Sequence, residues 1–168
     1  IGHNFGTFIY NQNRLQKISN IEGAWVIKNV IGNPQMLIQG NYNGIHVLHK
    51  KEEQWRVRNK LDGFNISSRF LELSGNQIFV NHEYKGLFKI TIDDAFTKAI
   101  NISVDSLKKG TNSGLITFKD DILFANKDGI YKYNEKSNDF EKDTLYSTFY
   151  NTSDYLSGRL INTDNEGK

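Results

Sequence analysis

Met36-Leu-Ile-Gln-Gly-Asn-Tyr-Asn-Gly-Ile-His-Val47 reads as an apolar strand, a short polar turn closed by Gly44, and a second strand. The plan returns in Gln77-Ile-Phe-Val-Asn-His-Glu-Tyr-Lys-Gly-Leu-Phe-Lys89 around Gly86 and in Asp121-Ile-Leu-Phe-Ala-Asn-Lys-Asp-Gly-Ile-Tyr-Lys132 around Gly129. A cut copy opens the chain, where Ile1 to Tyr10 supplies the turn, Gly6 and the second strand. From Gly6 to Gly44 is 38 residues, from Gly44 to Gly86 is 42, and from Gly86 to Gly129 is 43. A period near 40 in a β-rich chain points to a propeller, whose blades take about 40 to 50 residues each.

The remainder of the unit repeats too. A third strand is expected around one bulky apolar residue, Leu15, Trp55, Phe96 or Phe140, and a long polar connection follows it. A fourth apolar strand then appears at Ala24-Trp-Val-Ile27, Arg69-Phe-Leu-Glu-Leu73, Gly114-Leu-Ile-Thr-Phe118 and Arg159-Leu-Ile161. Turns rich in Gly, Asn or Asp lead into the next hairpin at Gly32-Asn33-Pro34, Ser74-Gly75-Asn76 and Lys119-Asp120-Asp121. The expected fold is all-β, three to four blades of four antiparallel strands over residues 1–168. Thr97 to Lys109 is the one stretch where a short helical turn is allowed. Alternation predicts Ile45 and Val47 on one face and His46 with Leu48 on the other. Three blades do not close a ring, so the chain is read as a segment of a larger propeller.

Composition narrows the classes of function. With 21 basic and 19 acidic residues the net charge is +2, which argues against a nucleic-acid-binding face. The basic stretch His49-Lys-Lys51 with Arg56 and Arg58 is interrupted by Glu52 and Glu53 and reads as a solvated strand edge. The absence of cysteine removes disulfides, thiolate nucleophiles and Cys-ligated metals. No segment approaches the roughly 20 apolar residues of a membrane span, so any membrane attachment is expected through regions outside this chain.

Catalytic and metal chemistry find little support. His46 and His49 are three apart on a strand and face opposite ways, which defeats joint ligation. His3 and His82 hold equivalent places in two turns. Asp93-Asp94 and Asp120-Asp121 are adjacent pairs in turns, where Asp is a good turn former and two carboxyls do not span a substrate. No nucleophile elbow, phosphate loop or dinucleotide fingerprint occurs, and no cofactor is expected. The candidate binding residues are instead in the loops at one end of the blades: Tyr42, Asn43, Asn65, His82, Glu83, Tyr84, Asn126, Asp128 and Tyr155, with His3, Asn4, Phe5, Asn41, Asp62, Phe64, Lys127, Tyr150, Asn151 and Asp154 nearby. Aromatic rings for apolar sugar faces, interleaved with Asn, Asp and Glu for hydroxyls, suit a small polar ligand or oligosaccharide.

The unit of apolar strand, polar turn, Gly-[Leu/Ile]-[Phe/Tyr/His] and strand resembles the two-component-regulator propeller repeat. The final Thr163-Asp-Asn-Glu-Gly-Lys168 resembles the Asp-x-x-Gly-x turn of that family. Leu37, Phe79 and Leu123 stand where the family carries a Trp. The resemblance implies a periplasmic or extracytoplasmic, non-enzymatic sensor domain of a hybrid two-component system or related regulator of the Bacteroidetes. It implies a bound oligosaccharide reported to a kinase or DNA-binding output domain, and it leaves a homodimer open. An enzymatic propeller of lactonase or glycosidase type and a protein-binding scaffold are the alternatives.

Overall fold

The computed structural model describes residues 1–106, 108, 110, 112–151 and 153. The expected strand at Arg159-Leu-Ile161, the turn at Thr163 to Lys168, and Asp154 and Tyr155 lie outside the described residues.

Among the described residues, four sheets follow one another in chain order. The first holds β1 (Gly2–His3), β2 (Gly6–Asn11) and β3 (Arg14–Ser19). The second is β4 (Val26–Val30), β5 (Asn33–Asn41), β6 (Gly44–Lys51) and β7 (Gln54–Lys60). The third is β8 (Phe70–Ser74), β9 (Gln77–His82), β10 (Gly86–Ile92) and β11 (Ala99–Asp105). The fourth is β12 (Gly114–Phe118), β13 (Asp121–Asn126), β14 (Gly129–Asn134) and β15 (Asp139–Lys142). Every strand pairs with its neighbour in sequence, the meander of a propeller blade. Strands β4, β8 and β12, innermost by propeller convention, begin at residues 26, 70 and 114, so the step between them is 44 both times. The chain packs as two compact units, Ile1–Val80 with Phe88–Ser103, and Asn81–Leu87 with the chain from Val104 onward.

The repeating glycine has a physical cause. Gly44 pairs with Asn41 across a two-residue turn and has φ +109°, a region that side-chain-bearing residues rarely enter. A Cβ on Gly44 would also overlap the carbonyl oxygen of Phe64, in the connection that leads to the next sheet. Gly86 also has a positive φ, +116°, and a Cβ there would overlap the carbonyl oxygen of Asp105, the last residue of β11 in its own sheet.

In the first unit the core is built from Ile38, Ile45, Val47, Leu61, Phe64, Leu71, Ile78, Val80, Ile90 and Ile92, with Phe64 meeting Phe88 edge-to-face at 5.5 Å. Full burial of each such side chain contributes about 1.5 to 3 kcal/mol. Strand β6 departs from the expected alternation: Gly44 through Leu48 are all buried, including His46. Both of its faces are covered, as in any sheet packed between layers, so the polar-out half of the pattern is lost.

One strand expectation and one helical expectation are corrected. Phe96 does not centre a strand; it has φ +55° in the turn after β10, and the outer strand is Ala99–Asp105. That strand occupies most of the stretch where a helical turn was allowed. The described helical segment is instead a single 3-10 turn, η1 (Tyr146–Phe149).

Strand β7 carries a bulge, since Val47 pairs with Asn59 and Leu48 with Val57. The freed Arg58 is half-buried, and its guanidinium donates to the carbonyls of Ala95 (2.5 Å) and Phe96 (2.9 Å). Asn59 adds an amide bond to the Phe96 carbonyl at 3.0 Å. The strand read as a solvated basic edge is thus, at Arg58, a clamp on the turn of the following sheet; the bulge turns the side chain off the edge.

Candidate functional site

The β5–β6 turn places Tyr42 and Asn43 at the end of the second sheet, both exposed. Tyr42 does not stand free in solvent. Its ring lies on Gly23, where a Cβ would enter the ring, and its hydroxyl donates to Asn4 Oδ1 at 3.1 Å. It meets Trp25 edge-to-face, with centroids 5.6 Å apart at 79°. Asn65 joins this cluster because the Phe64–Asn65 backbone packs against Gly44; its Oδ1 accepts from Lys60. The structure therefore brings Tyr42, Asn43 and Asn65 together on one end of the first unit.

Trp25 and Arg69 were read as strand residues and prove to belong to this surface. Each immediately precedes or opens an inner strand, at the same place in successive repeats, 44 residues apart. The Arg69 guanidinium stacks over the Trp25 ring, 4.8 Å from its centroid, and lies 5.3 Å from that of Phe70. Trp25 and Tyr42 each keep 41% of their surface exposed, enough to offer a ring to a ligand. The signal that would have found them is the coincidence in register of a Trp and an Arg on adjoining inner strands. Three residues further along, Lys28 and Glu72 pair across the same two strands at 2.6 Å.

In the second unit the named residues serve mainly their own turns. His82 Nδ1 accepts the backbone N–H groups of Tyr84 (3.2 Å) and Lys85 (3.3 Å), and its ring meets that of Tyr84 at 6.2 Å. Burial and the neighbouring Lys85 charge hold its pKa below the usual imidazole value, against a smaller opposing backbone hydrogen bond. The Glu83 carbonyl accepts from Gly110, and Tyr84 is exposed. Asn126 is buried, its Oδ1 accepting the Asp128 N–H at 2.9 Å while its carbonyl accepts from the Tyr150 hydroxyl. Asp128 is exposed. His3 repeats the His82 arrangement in the first unit, accepting the Phe5 N–H at 3.2 Å.

The paired carboxylates are turn elements. Asp93 accepts from the Thr97 hydroxyl (2.5 Å), the Thr97 N–H (2.6 Å) and the Lys98 N–H (2.8 Å), bonds that pull its pKa down to about 2, the Thr97 side chain foremost. Asp120 closes a turn at φ +69°, and Asp121 pairs with Lys132 at 2.7 Å. His46 is buried on β6 beside Asn41, its pKa lowered by burial and then by Lys60. Among the described residues no three His, Asp or Glu side chains converge as metal ligands.

No family model and no curated protein matches this sequence. Among solved structures, the chain is similar to two of the extracellular domain of one B. thetaiotaomicron protein. The first, described as part of a one component system, superposes with a TM-score of 0.61 at 21% identity, over 84% of this chain and 19% of the other. The second, described as part of a hybrid two component system, gives 0.59 at 20% identity over the same shares, 84% and 19%. The chain therefore spans about a fifth of the length of those domains. It is a run of β-propeller blades with the fold of a part of that extracellular domain.

Proposed function

We propose that this chain is part of a non-enzymatic, ligand-sensing propeller domain of a bacterial signal-transduction or transcriptional regulator. It works outside the cytoplasm and recognises a polar ligand such as an oligosaccharide. The observation that carries the reading is the likeness of its blades to extracellular domains described as belonging to one component and hybrid two component systems. The surface at Tyr42, Asn43, Asn65 and Trp25 supports it: half-exposed rings beside side-chain amides suit the mixed apolar and hydroxyl surface of a sugar. Sensing asks only for binding, and the carboxylates of the described turns are engaged in backbone bonds and ion pairs rather than set across a cleft.

Calorimetry of the chain against a panel of neutral and acidic oligosaccharides tests this reading. Saturable heat from at least one member, reduced at least about tenfold by Tyr42→Ala, is the expected result. No heat from any member, or release of cleaved sugar from one, overturns it, the second outcome in favour of an enzyme.

A further inference from the structure

We infer that the surface formed by Trp25, Tyr42 and Arg69 takes an acidic saccharide, one that carries a carboxylate on a sugar ring; this rests on the ligand-sensing reading above. Arg69 is exposed, and among the described residues it has neither a hydrogen bond nor an ion pair. What holds it is the stack on Trp25 at 4.8 Å and on Phe70 at 5.3 Å. Stacking engages the flat face of a guanidinium and leaves its in-plane N–H groups as a polar edge. That edge matches the two oxygens of a planar carboxylate, and because two ring contacts already restrain the side chain, less freedom is lost on pairing.

The rings beside it decide what carries the carboxylate. Trp25 is half-exposed and meets Tyr42, whose own position is set by Gly23 and by the bond to Asn4. A pyranose ring has an apolar face of C–H groups that stacks on such a ring, and the amide of Asn43, exposed in the adjoining turn, adds donors and acceptors for hydroxyls. A nucleic acid would need several unpaired cations along one track, whereas among the described residues Lys28 near this patch is paired with Glu72 and Lys60 is bonded to Asn65, leaving Arg69. An acidic peptide would use the same arginine without needing the rings.

The test uses Trp25 itself as reporter. Trp55→Phe leaves Trp25 as the chain's one tryptophan, since the sequence has two. This variant is titrated with tetragalacturonate and a hyaluronan tetrasaccharide, with the carboxyl-reduced form of each, and with hexaglutamate. The expected result is a saturable fluorescence change with an acidic tetrasaccharide and at least about tenfold weaker binding of its reduced form, the loss of one bidentate pair. Arg69→Gln abolishes that preference, the ratio of acidic to neutral binding being the readout, and Arg69→Lys, which keeps the charge but not the fork, restores only part of it. Circular dichroism verifies that both variants are folded. Equal binding of acidic and reduced forms, or a preference that survives Arg69→Gln, overturns the inference while saccharide sensing stands. Hexaglutamate binding as tightly as the tetrasaccharides also overturns it, in favour of a peptide reader. No binding by any probe overturns it, and the panel calorimetry then decides whether the sensing reading falls with it.

Discussion

The turn at Asn41–Gly44 and the turn at Asn126–Gly129 occupy the same place in the repeat, with asparagine paired to glycine across two residues in both. The same residues do different work. Asn41 is fully buried, and its side chain faces away from its own turn: Oδ1 accepts from Gln39 Nε2 and sits 3.0 Å from His46 Nδ1, while Nδ2 donates to the Glu22 carbonyl. Gln39 in turn accepts from Thr7, so a polar network ties the first sheet to the second through the interior of the first unit. Asn126 uses its Oδ1 on the Asp128 N–H, two residues away. A turn whose cap is taken over by the interior has its side chains at positions 42 and 43 left to shape a surface; a turn that caps itself is complete within its own residues. The difference explains why the aromatic cluster gathers at Tyr42 and not at Lys127.

The glycines test this contrast most severely. Gly44→Ala forces a Cβ into the Phe64 carbonyl at φ +109° and is expected to cost about 3 kcal/mol or more. Gly129→Ala at φ +140° meets the Lys142 side chain at 2.9 Å, which can move aside, so only the backbone strain of about 1 to 2 kcal/mol remains. Urea unfolding of the two variants gives the comparison, and equal losses would refute the claim that backbone contact makes Gly44 special.

The asparagines come next. Asn41→Ala strands the buried amide of Gln39 and the Glu22 carbonyl and is expected to destabilise by about 2 to 3 kcal/mol. Asn126→Ala loses one turn bond, about 1 kcal/mol. If the order reverses in the same unfolding experiment, the network is not what joins the first two sheets.

The histidines give the smallest and most specific signal. His46 Nδ1 faces a carbonyl-type oxygen, Asn41 Oδ1, and must carry the proton; His82 Nδ1 accepts two backbone N–H groups and must not. Nitrogen–proton correlation spectra should show opposite neutral tautomers, and finding the same tautomer at both would break the assignment. Both imidazoles are held below the ordinary value of 6.5 in the folded chain. The unfolded chain then takes up protons first as pH falls, so the stabilising share of each histidine is present above pH 6.5 and is lost as pH drops from there through the lower folded value. Asn in place of His82 retains the turn acceptor and should remove that part of the pH dependence.

Much of the fold is legible in the residues because the repeat is marked by something sterically obligatory. Gly44 and Gly86 cannot be exchanged for a residue with a Cβ, so the period survives in plain view. The outer strand of the third sheet was misread. Phe96 drew attention as the bulky apolar residue, yet it lies in a turn, while the strand is Ala99–Asp105, where Ile100, Ile102 and Val104 alternate with Asn101, Ser103 and Asp105 and all three apolar side chains stay exposed. The period-2 alternation that marks a strand was there to be read; a single bulky ring was weighed above it. The buried His46 was hidden for the opposite reason, since a strand covered on both faces shows no alternation. Of the proposed binding surface, Tyr42, Asn43 and Asn65 were reachable from turn position alone. Trp25 and Arg69 were not, because an aromatic or an arginine at the start of an inner strand looks like a core or edge residue until the neighbouring strand is laid beside it.

The carbonyl of Phe64 lodged against Gly44 also bears on how the chain folds. Sheets whose order never departs from chain order close only short loops, and each could form as a local meander. Yet the β5–β6 turn reaches its final packing only when the chain has passed the end of β7 and started toward β8. The second sheet is thus completed by the lead-in to its successor, a nearest-neighbour coupling that lets order spread along the chain while discouraging that sheet from standing alone.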